Sequence, residues 1–303
     1  MHSPRVSVGI PVYNAEAFLA QTIESMLGQD YNDLEIVISD NASTDGTEAI
    51  CRRYAALDAR VRYYRSDINR GATWNFNEVF RRSRGEYYKW QAYDDLCLPT
   101  FISSCMREFD RGPASLVLVY PRSATIDENG RPQPQFVERS IASCDSRPER
   151  RLAMVLQNLT MASQFYGLIR ASELRKTRLL GSFVAADYVL LAEMAVLGEL
   201  REVPDILFLR RVHPRISTYA NRSAAELLQW FDPSRRRNRV WVAPWIWVGF
   251  EYVRSIRLLP LRTRDRWRCY TTAIGVWYWG LLRNFIGKHR RKLRRGWARD
   301  IAS

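Results

Sequence analysis

The sequence predicts an α/β protein: a doubly wound, mostly parallel sheet with a helical, basic, aromatic-rich extension at its C-terminal end. Three observations predict it. Short β-rich runs alternate with helix-length segments through the first 120 residues. Polar and carboxylate-rich residues gather where the β-rich runs end. Positive charge and tryptophan, in contrast, are concentrated after residue 234.

Val6–Ile10 reads as a buried strand and Ala15–Leu27 as an amphipathic helix. Leu34–Ile38 is the next strand, followed by a helix over Thr47–Leu57, a strand over Arg60–Tyr64 and a helix over Thr73–Ser83. Tyr87–Trp90 and Leu116–Tyr120 are strands flanking a helix from Thr100 to about Arg111. Strands separated by helices of this length favour parallel pairing, because a parallel crossover needs a connection long enough to hold a helix. Ligands of such sheets bind beyond the carboxyl ends of the strands. Those ends here are Pro11–Asn14, Asp40–Asp45 and Gln91–Asp95. After Tyr120 the pattern loosens. Asp127-Glu128-Asn129-Gly130 signals a turn, Glu149–Leu159 and Ala186–Leu197 read as helices, and Ile206–Val212 as a late strand. The polar stretch Asn221–Ser234, broken at Asp232-Pro233, reads as a linker, which divides the chain into residues 1–220 and 221–303.

A chain of 303 residues that is 47% hydrophobic can bury a full core. Its five cysteines are scattered without a Cys-x-x-Cys pair, which argues against a disulfide framework or structural zinc and for a reducing compartment. The first residues show no signal-peptide pattern. Residues 235–303 hold 18 Lys and Arg against three acids, a net +15, while residues 1–234 hold 28 bases and 29 acids. Seven of the ten tryptophans lie in the same basic tail, so the two parts are expected to do different work.

Four groups of residues carry chemistry. Pro11-Val12-Tyr13-Asn14 with Glu16 ends the first strand, and Asp40-Asn41-Ala42-Ser43-Thr44-Asp45-Gly46-Thr47 ends the second. Asp40 stands where a carboxylate can accept hydrogen bonds from a base edge, and Ser43, Thr44 and Asp45 are placed to cap the following helix. Asn69-Arg70-Gly71 is the third group. Tyr93-Asp94-Asp95 is the fourth, two adjacent carboxylates whose repulsion a hard divalent cation bridging a diphosphate would relieve. Taken singly, a βα turn with a helix cap or a solvated acidic turn would show the same residues.

Taken together and in this order, the four groups resemble the family 2 glycosyltransferases, over roughly residues 5–213. The resemblance implies the GT-A fold, a nucleotide-sugar donor, and Mn²⁺ or Mg²⁺. It assigns Pro11, Tyr13, Asn14, Glu16, Asp40, Asn41 and Arg70 to the donor, and Asp94 and Asp95 to the metal–diphosphate. This chain reads Ala92-Tyr93-Asp94-Asp95 where many members read Asp-x-Asp-Asp. Asp187, in Ala185-Ala186-Asp187-Tyr188, matches the family's general base, with Ala186 in place of the usual Glu. Arg210-Arg211-Val212-His213 resembles the closing Arg-x-His segment, so that His213 joins the metal or diphosphate and Arg211 neutralises phosphate. The implied reaction is an inverting displacement at the anomeric carbon, in which Asp187 deprotonates an acceptor hydroxyl on a glycan or lipid-linked carrier.

In the tail, Val240–Phe250 and Cys269–Leu282 are apolar but shorter than the ~20 residues a bilayer span needs. Tryptophans among arginines suit a helix lying in an anionic lipid interface, on the inner, cytoplasmic face. A solvated basic face, an oligomer interface and a nucleic-acid patch are the alternatives, with nucleic acid disfavoured. The competing reading of the whole chain is a non-catalytic nucleotide-fold module acting through its tail.

Overall fold

The computed structural model describes residues 3–134, 137–216, 224–234 and 244–277. Eight strands form one sheet: β1 (Val6–Val12), β2 (Leu34–Asp40), β3 (Val61–Arg65), β4 (Tyr87–Trp90), β5 (Leu96–Cys97), β6 (Leu116–Ile126), β7 (Leu168–Arg170) and β8 (Glu199–Arg211). Their order across the sheet is β3-β2-β1-β4-β7-β6-β8-β5. Every pair among β3, β2, β1 and β4 is parallel, as is β6 with β8, while β7 and β5 run antiparallel to their neighbours. The mostly parallel sheet read from the sequence is therefore present. The strands that escaped it are β5 and β7, of two and three residues, too short to carry a period. β8 begins at Glu199 rather than Ile206, because its first half is polar and interrupted by Pro204.

Helices α1 (Leu19–Leu27), α2 (Thr47–Leu57) and α4 (Phe101–Arg111) bury their apolar faces on one side of the sheet. On the other side pack α3 (Ala72–Arg81), α5 (Pro148–Asn158) and α7 (Ala186–Leu197), the short α6 (Ala171–Leu174) lying after β7. All seven residues of β1 and of β2 are buried, as strands covered on both faces must be. Parallel register pairs Val12 with Asp40 and Gly9 with Trp90, so the chain leaves β1, β2 and β4 at the same edge of the sheet. That edge holds the site.

The expected linker is in part a helix, Ala224–Phe231, lying against α3. A further helix spans Pro244–Leu258, and residues 263–277 are helical again. Val248, Ile256, Leu259, Cys269 and Ala273 of these segments are buried in the core that α5 and α7 share. The boundary expected at 220/221 and the polybasic run Lys288–Arg295 lie outside the described residues.

Candidate active site

The loop after β1 and the loop after β2 are laced together by their own side chains. Asn14 takes a left-handed backbone (φ 51°), its amide donates to Ser43 Oγ at 2.9 Å, and its Oδ1 accepts from the Thr44 amide at 2.9 Å. Glu16 Oε2 accepts from the Gly46 amide at 2.8 Å, and the Glu16 amide donates to Asp45 Oδ2 at 3.2 Å. Of the three expected capping residues, Asp45 alone accepts from the first turn of α2, at the Thr47 amide (3.0 Å), while Ser43 and Thr44 serve Asn14 instead. Pro11 is buried within β1, and Tyr13 stands exposed beside these loops.

Asp40 is fully buried. Its Oδ1 accepts from the Ser43 amide (2.8 Å), and its Oδ2 from Tyr63 Oη (2.8 Å) and Arg65 Nη1 (2.7 Å). A carboxylate has about four lone-pair sites; three are filled here, and none is open to solvent, so a base reaches Asp40 only if its neighbours move. Asn41 is also spent on the fold: it donates to Asn69 Oδ1 (2.9 Å) and the Gly71 carbonyl (3.2 Å) and accepts from the Arg70 amide (2.9 Å). Gly71 needs its positive φ of 85°, and a Cβ there would lie 2.4 Å from the Phe231 carbonyl. The Arg70 side chain is exposed, 5.1 Å above the Trp74 ring, beside a recess of about 190 Å³ that both residues line.

The acidic pair divides by direction. Asp94 Oδ2 lies 3.0 Å from His213 Nε2, and His213 is held by the Phe18 ring (4.7 Å) and by the Arg215 amide donating to its Nδ1 at 3.3 Å. With Nδ1 accepting, the neutral ring carries its proton on Nε2, facing the carboxylate. Asp95 turns inward. It is buried, and its Oδ1 accepts from the Arg211 amide at 2.8 Å. Burial and the Asp94 charge raise its pKa well above the usual carboxylate range. The expected second metal ligand thus has one oxygen engaged by β8. Arg211 departs from expectation in the same way: buried, it donates from Nε to the Asp94 carbonyl (2.8 Å), from Nη1 to the Glu128 carbonyl (2.8 Å) and from Nη2 to Gln21 Oε1 (2.9 Å). A guanidinium so used braces β8 against the acidic loop and has no fork left for phosphate.

Asp187 enters α7 after Ala185, a left-handed residue (φ 64°), and its Oδ1 accepts from the Tyr188 amide at 3.0 Å. Surrounding protein pushes its pKa up to about 6. Arg210 Nη1 donates to the Met161 carbonyl (3.4 Å), Tyr188 Oη to the adjacent Thr160 carbonyl, and the Arg211 amide to Asp95, so β8 and the turn at Thr160–Met161 tie the acidic loop to the start of α7. Among the described residues, Asn14, Ala42, Ala162, Leu179 and Ala185 are left-handed. Such non-glycine conformations cost of order 1–3 kcal/mol each and gather where function requires them.

Among the described residues no three His, Cys, Asp or Glu side chains converge to hold a metal. Asp94 Oδ2 and His213 Nε2 present an oxygen and a nitrogen together, a donor set that fits a divalent cation completed by diphosphate oxygens and water in the tautomer that moves the ring proton to Nδ1 and releases the Arg215 amide. Beneath them is a residue the sequence reading passed over within a strand. Lys89 of β4 is fully buried, donates to the carbonyls of Trp90 (3.0 Å) and Tyr166 (2.8 Å), and sits 4.4 Å from the Phe101 ring. Burial lowers its pKa. A lysine inside a four-residue apolar strand was the available signal.

The profile of glycosyl transferase family 2 matches residues 7–177, and the chain belongs to that family. It is 37% identical over 127 residues to the chondroitin synthase of Escherichia coli, covering 42% of this chain and 18% of that protein. It is 24% identical over 176 residues to a GalNAc(5)-diNAcBac-PP-undecaprenol beta-1,3-glucosyltransferase of Campylobacter jejuni, covering 58% of this chain and 54% of that one. The matches thus span about a fifth to a half of these relatives. Staphylococcus aureus TarS 1-349 with UDP-GlcNAc superposes with a TM-score of 0.63 at 15% identity, over 90% of this chain and 72% of that one. The mannosyltransferase PcManGT of Pyrobaculum calidifontis with GDP-Man and Mn²⁺ gives 0.53 at 19% identity, over 91% and 74%. The fold is the GT-A fold.

Proposed function

We propose that this chain is an inverting glycosyltransferase that moves a sugar from a nucleotide-sugar to an acceptor hydroxyl. The observation that carries this is the Asp94–His213 pair, tied through Arg210, Arg211 and the turn at Thr160–Met161 to the start of α7, where Asp187 stands. Asp94 and His213 would hold Mn²⁺ or Mg²⁺, which when bound supplies positive charge opposite the leaving nucleoside diphosphate. Asp187, ionised above its pKa of about 6 and bonded by no cationic side chain among the described residues, is suited to take the acceptor proton as the hydroxyl attacks the anomeric carbon. Asp40, held by Tyr63 and Arg65 at the end of β2, would meet the base once its neighbours part, and the braced loops at 14–16 and 41–47 shape the pocket. One displacement inverts the centre, and no nucleophilic carboxylate is needed.

The acceptor is a glycan or a lipid-linked glycan. The Campylobacter relative, named for a PP-undecaprenol-linked glycan, and the basic, tryptophan-rich tail both support a peripheral position on the inner face of a membrane. Among the described residues no helix is long and apolar enough to cross one. Release of nucleoside diphosphate from a panel of nucleotide-sugars, with Mn²⁺ and with EDTA, tests the proposal. Turnover of one donor that EDTA stops is expected. Full turnover in EDTA would remove the metal, and no turnover of any donor would leave a binding module.

A further inference from the structure

The two helices after residue 243 split their side chains between two surfaces. On the helix Pro244–Leu258, Val248, Glu251, Ser255 and Ile256 are buried, whereas Trp247, Phe250, Arg254, Arg257 and Leu258 are exposed. At 100° per residue the exposed five fall within one arc of about 100°. Along 263–277, Cys269 and Ala273 are buried while Arg264, Trp267, Thr271 and Ile274 form a second exposed stripe at spacings of three and four. Trp267, Phe250 and Leu258 are 65%, 64% and 56% exposed, and six of the fifteen large exposed hydrophobics among the described residues lie on these two helices. The helices run back along each other: the Trp277 ring lies where a Cβ on Gly249 would be, within 2.7 Å, and Arg266 Nη2 donates to the Leu259 carbonyl at 3.2 Å.

The chemistry of the stripes is aromatic, aliphatic and cationic. The two acids of these helices do not share them: Glu251 is buried against Arg178, and Asp265 sits off the exposed arc of its helix. Exposed apolar surface of this size on a chain fragment with net +15 has a natural complement in an anionic lipid interface, where rings enter the acyl boundary and arginines stay among headgroups.

We infer that Trp247, Phe250, Leu258, Trp267 and Ile274, with Arg254, Arg257 and Arg264 beside them, form the face by which this protein lies on an anionic bilayer, and that this face holds the catalytic base at a fixed place relative to the lipid. The second half follows from what lies behind the stripe. Arg178 Nη1 donates to Glu251 Oε2 (2.7 Å), its Nε to Glu193 Oε1 (3.1 Å) and its Nη2 to Ser255 Oγ (2.6 Å), and Ser255 Oγ donates to Glu193 Oε1 (2.5 Å). Glu193 belongs to α7, the helix that Asp187 opens, and Tyr252 from the docking helix reaches the electrostatic field of Asp187. The bilayer-facing helix and the helix carrying the base are thus one packed unit. This deepens the proposed lipid-surface reading and rests on it.

The test uses the full chain and vesicles of phosphatidylcholine with or without phosphatidylglycerol. Sedimentation with the anionic vesicles only is expected, with a fraction that resists high salt because rings are buried. The exposed triple variant W247S/F250S/W267S should keep its circular dichroism and its donor turnover and lose at least about tenfold in salt-resistant partition. Brominated lipid should quench tryptophan emission in the wild type and less in the triple variant. Equal partition of the triple variant, or no binding of the wild type to anionic vesicles, overturns the inference. So does a wild-type dimer that the triple variant converts to monomer, or tight polynucleotide binding in place of vesicles. Donor turnover is followed in parallel: its absence in a protein that still binds vesicles sinks the transferase reading and leaves the surface standing.

Discussion

The donor-side loops and the acidic floor of the site spend their polar groups differently. Around the nucleotide end, Asn14, Glu16, Asn41 and Asp45 are bonded to neighbouring backbone, and Asp40 has three of its lone pairs filled by protein. On the floor, Asp94 meets His213 and Asp187 meets backbone amides at the start of its helix. A buried hydrogen-bonding group that is already satisfied fixes shape, whereas one with spare capacity in a poorly hydrated place is available to a ligand. The same acidic motif contains both kinds, Asp94 outward and Asp95 inward.

The largest effect should come from the floor. Asp187→Asn is expected to lower kcat by roughly 10²–10⁴-fold with little change in donor affinity, as measured by steady-state transfer. The wild-type rate should rise with pH through about 6 and then level, the acid limb of that carboxylate. Stability gives an independent check. A carboxyl raised above its unfolded value stabilises the fold while protonated, and that contribution fades as pH rises through about 6. Asp187→Asn should therefore not lower Tm at pH 7, so the lost rate cannot be laid to unfolding. A rate near wild type would put the base elsewhere.

A middle-sized effect belongs to the donor side. Asn41→Ala strands the Arg70 amide and frees the Asn69–Gly71 turn, so urea unfolding should show a loss of about 1–3 kcal/mol, with a raised donor KM at nearly constant kcat. Unchanged KM would mean that the turn does not shape the donor pocket. The smallest effect is expected from Glu16→Gln, which keeps an oxygen for the Gly46 amide. Stability should stay within about 0.5 kcal/mol and donor KM should not move. A clear rise in KM would make Glu16 a ligand rather than a brace.

The alternation of strands and helices was legible because β1 and β2 are continuous apolar runs and α1, α3 and α4 place their apolar residues on one side. The site's location was legible for the same reason, since register carries Val12 and Asp40 to one edge. Direction was not. Nothing in Tyr93-Asp94-Asp95 says which carboxylate faces the protein, because that depends on the Arg211 amide 116 residues later. Arg211 itself read as a phosphate ligand, since its carbonyl partners at Asp94 and Glu128 come from distant turns. The buried faces of the last two helices were hidden by their composition: arginines and tryptophans dominate, while the packed positions are single small or apolar residues such as Cys269 and Ala273.

The division between Asp94 and Asp95 is the claim most open to direct measurement. Calorimetric titration of UDP and GDP, each with Mn²⁺, into the wild type, Asp94→Asn and Asp95→Asn separates the two carboxylates. Asp94→Asn should weaken nucleotide binding at least about tenfold, a loss that even outer-sphere partners of a metal produce. Asp95→Asn, which keeps an oxygen for the Arg211 amide, should bind as the wild type does. Loss of binding in Asp95→Asn with Asp94→Asn unaffected would contradict the account.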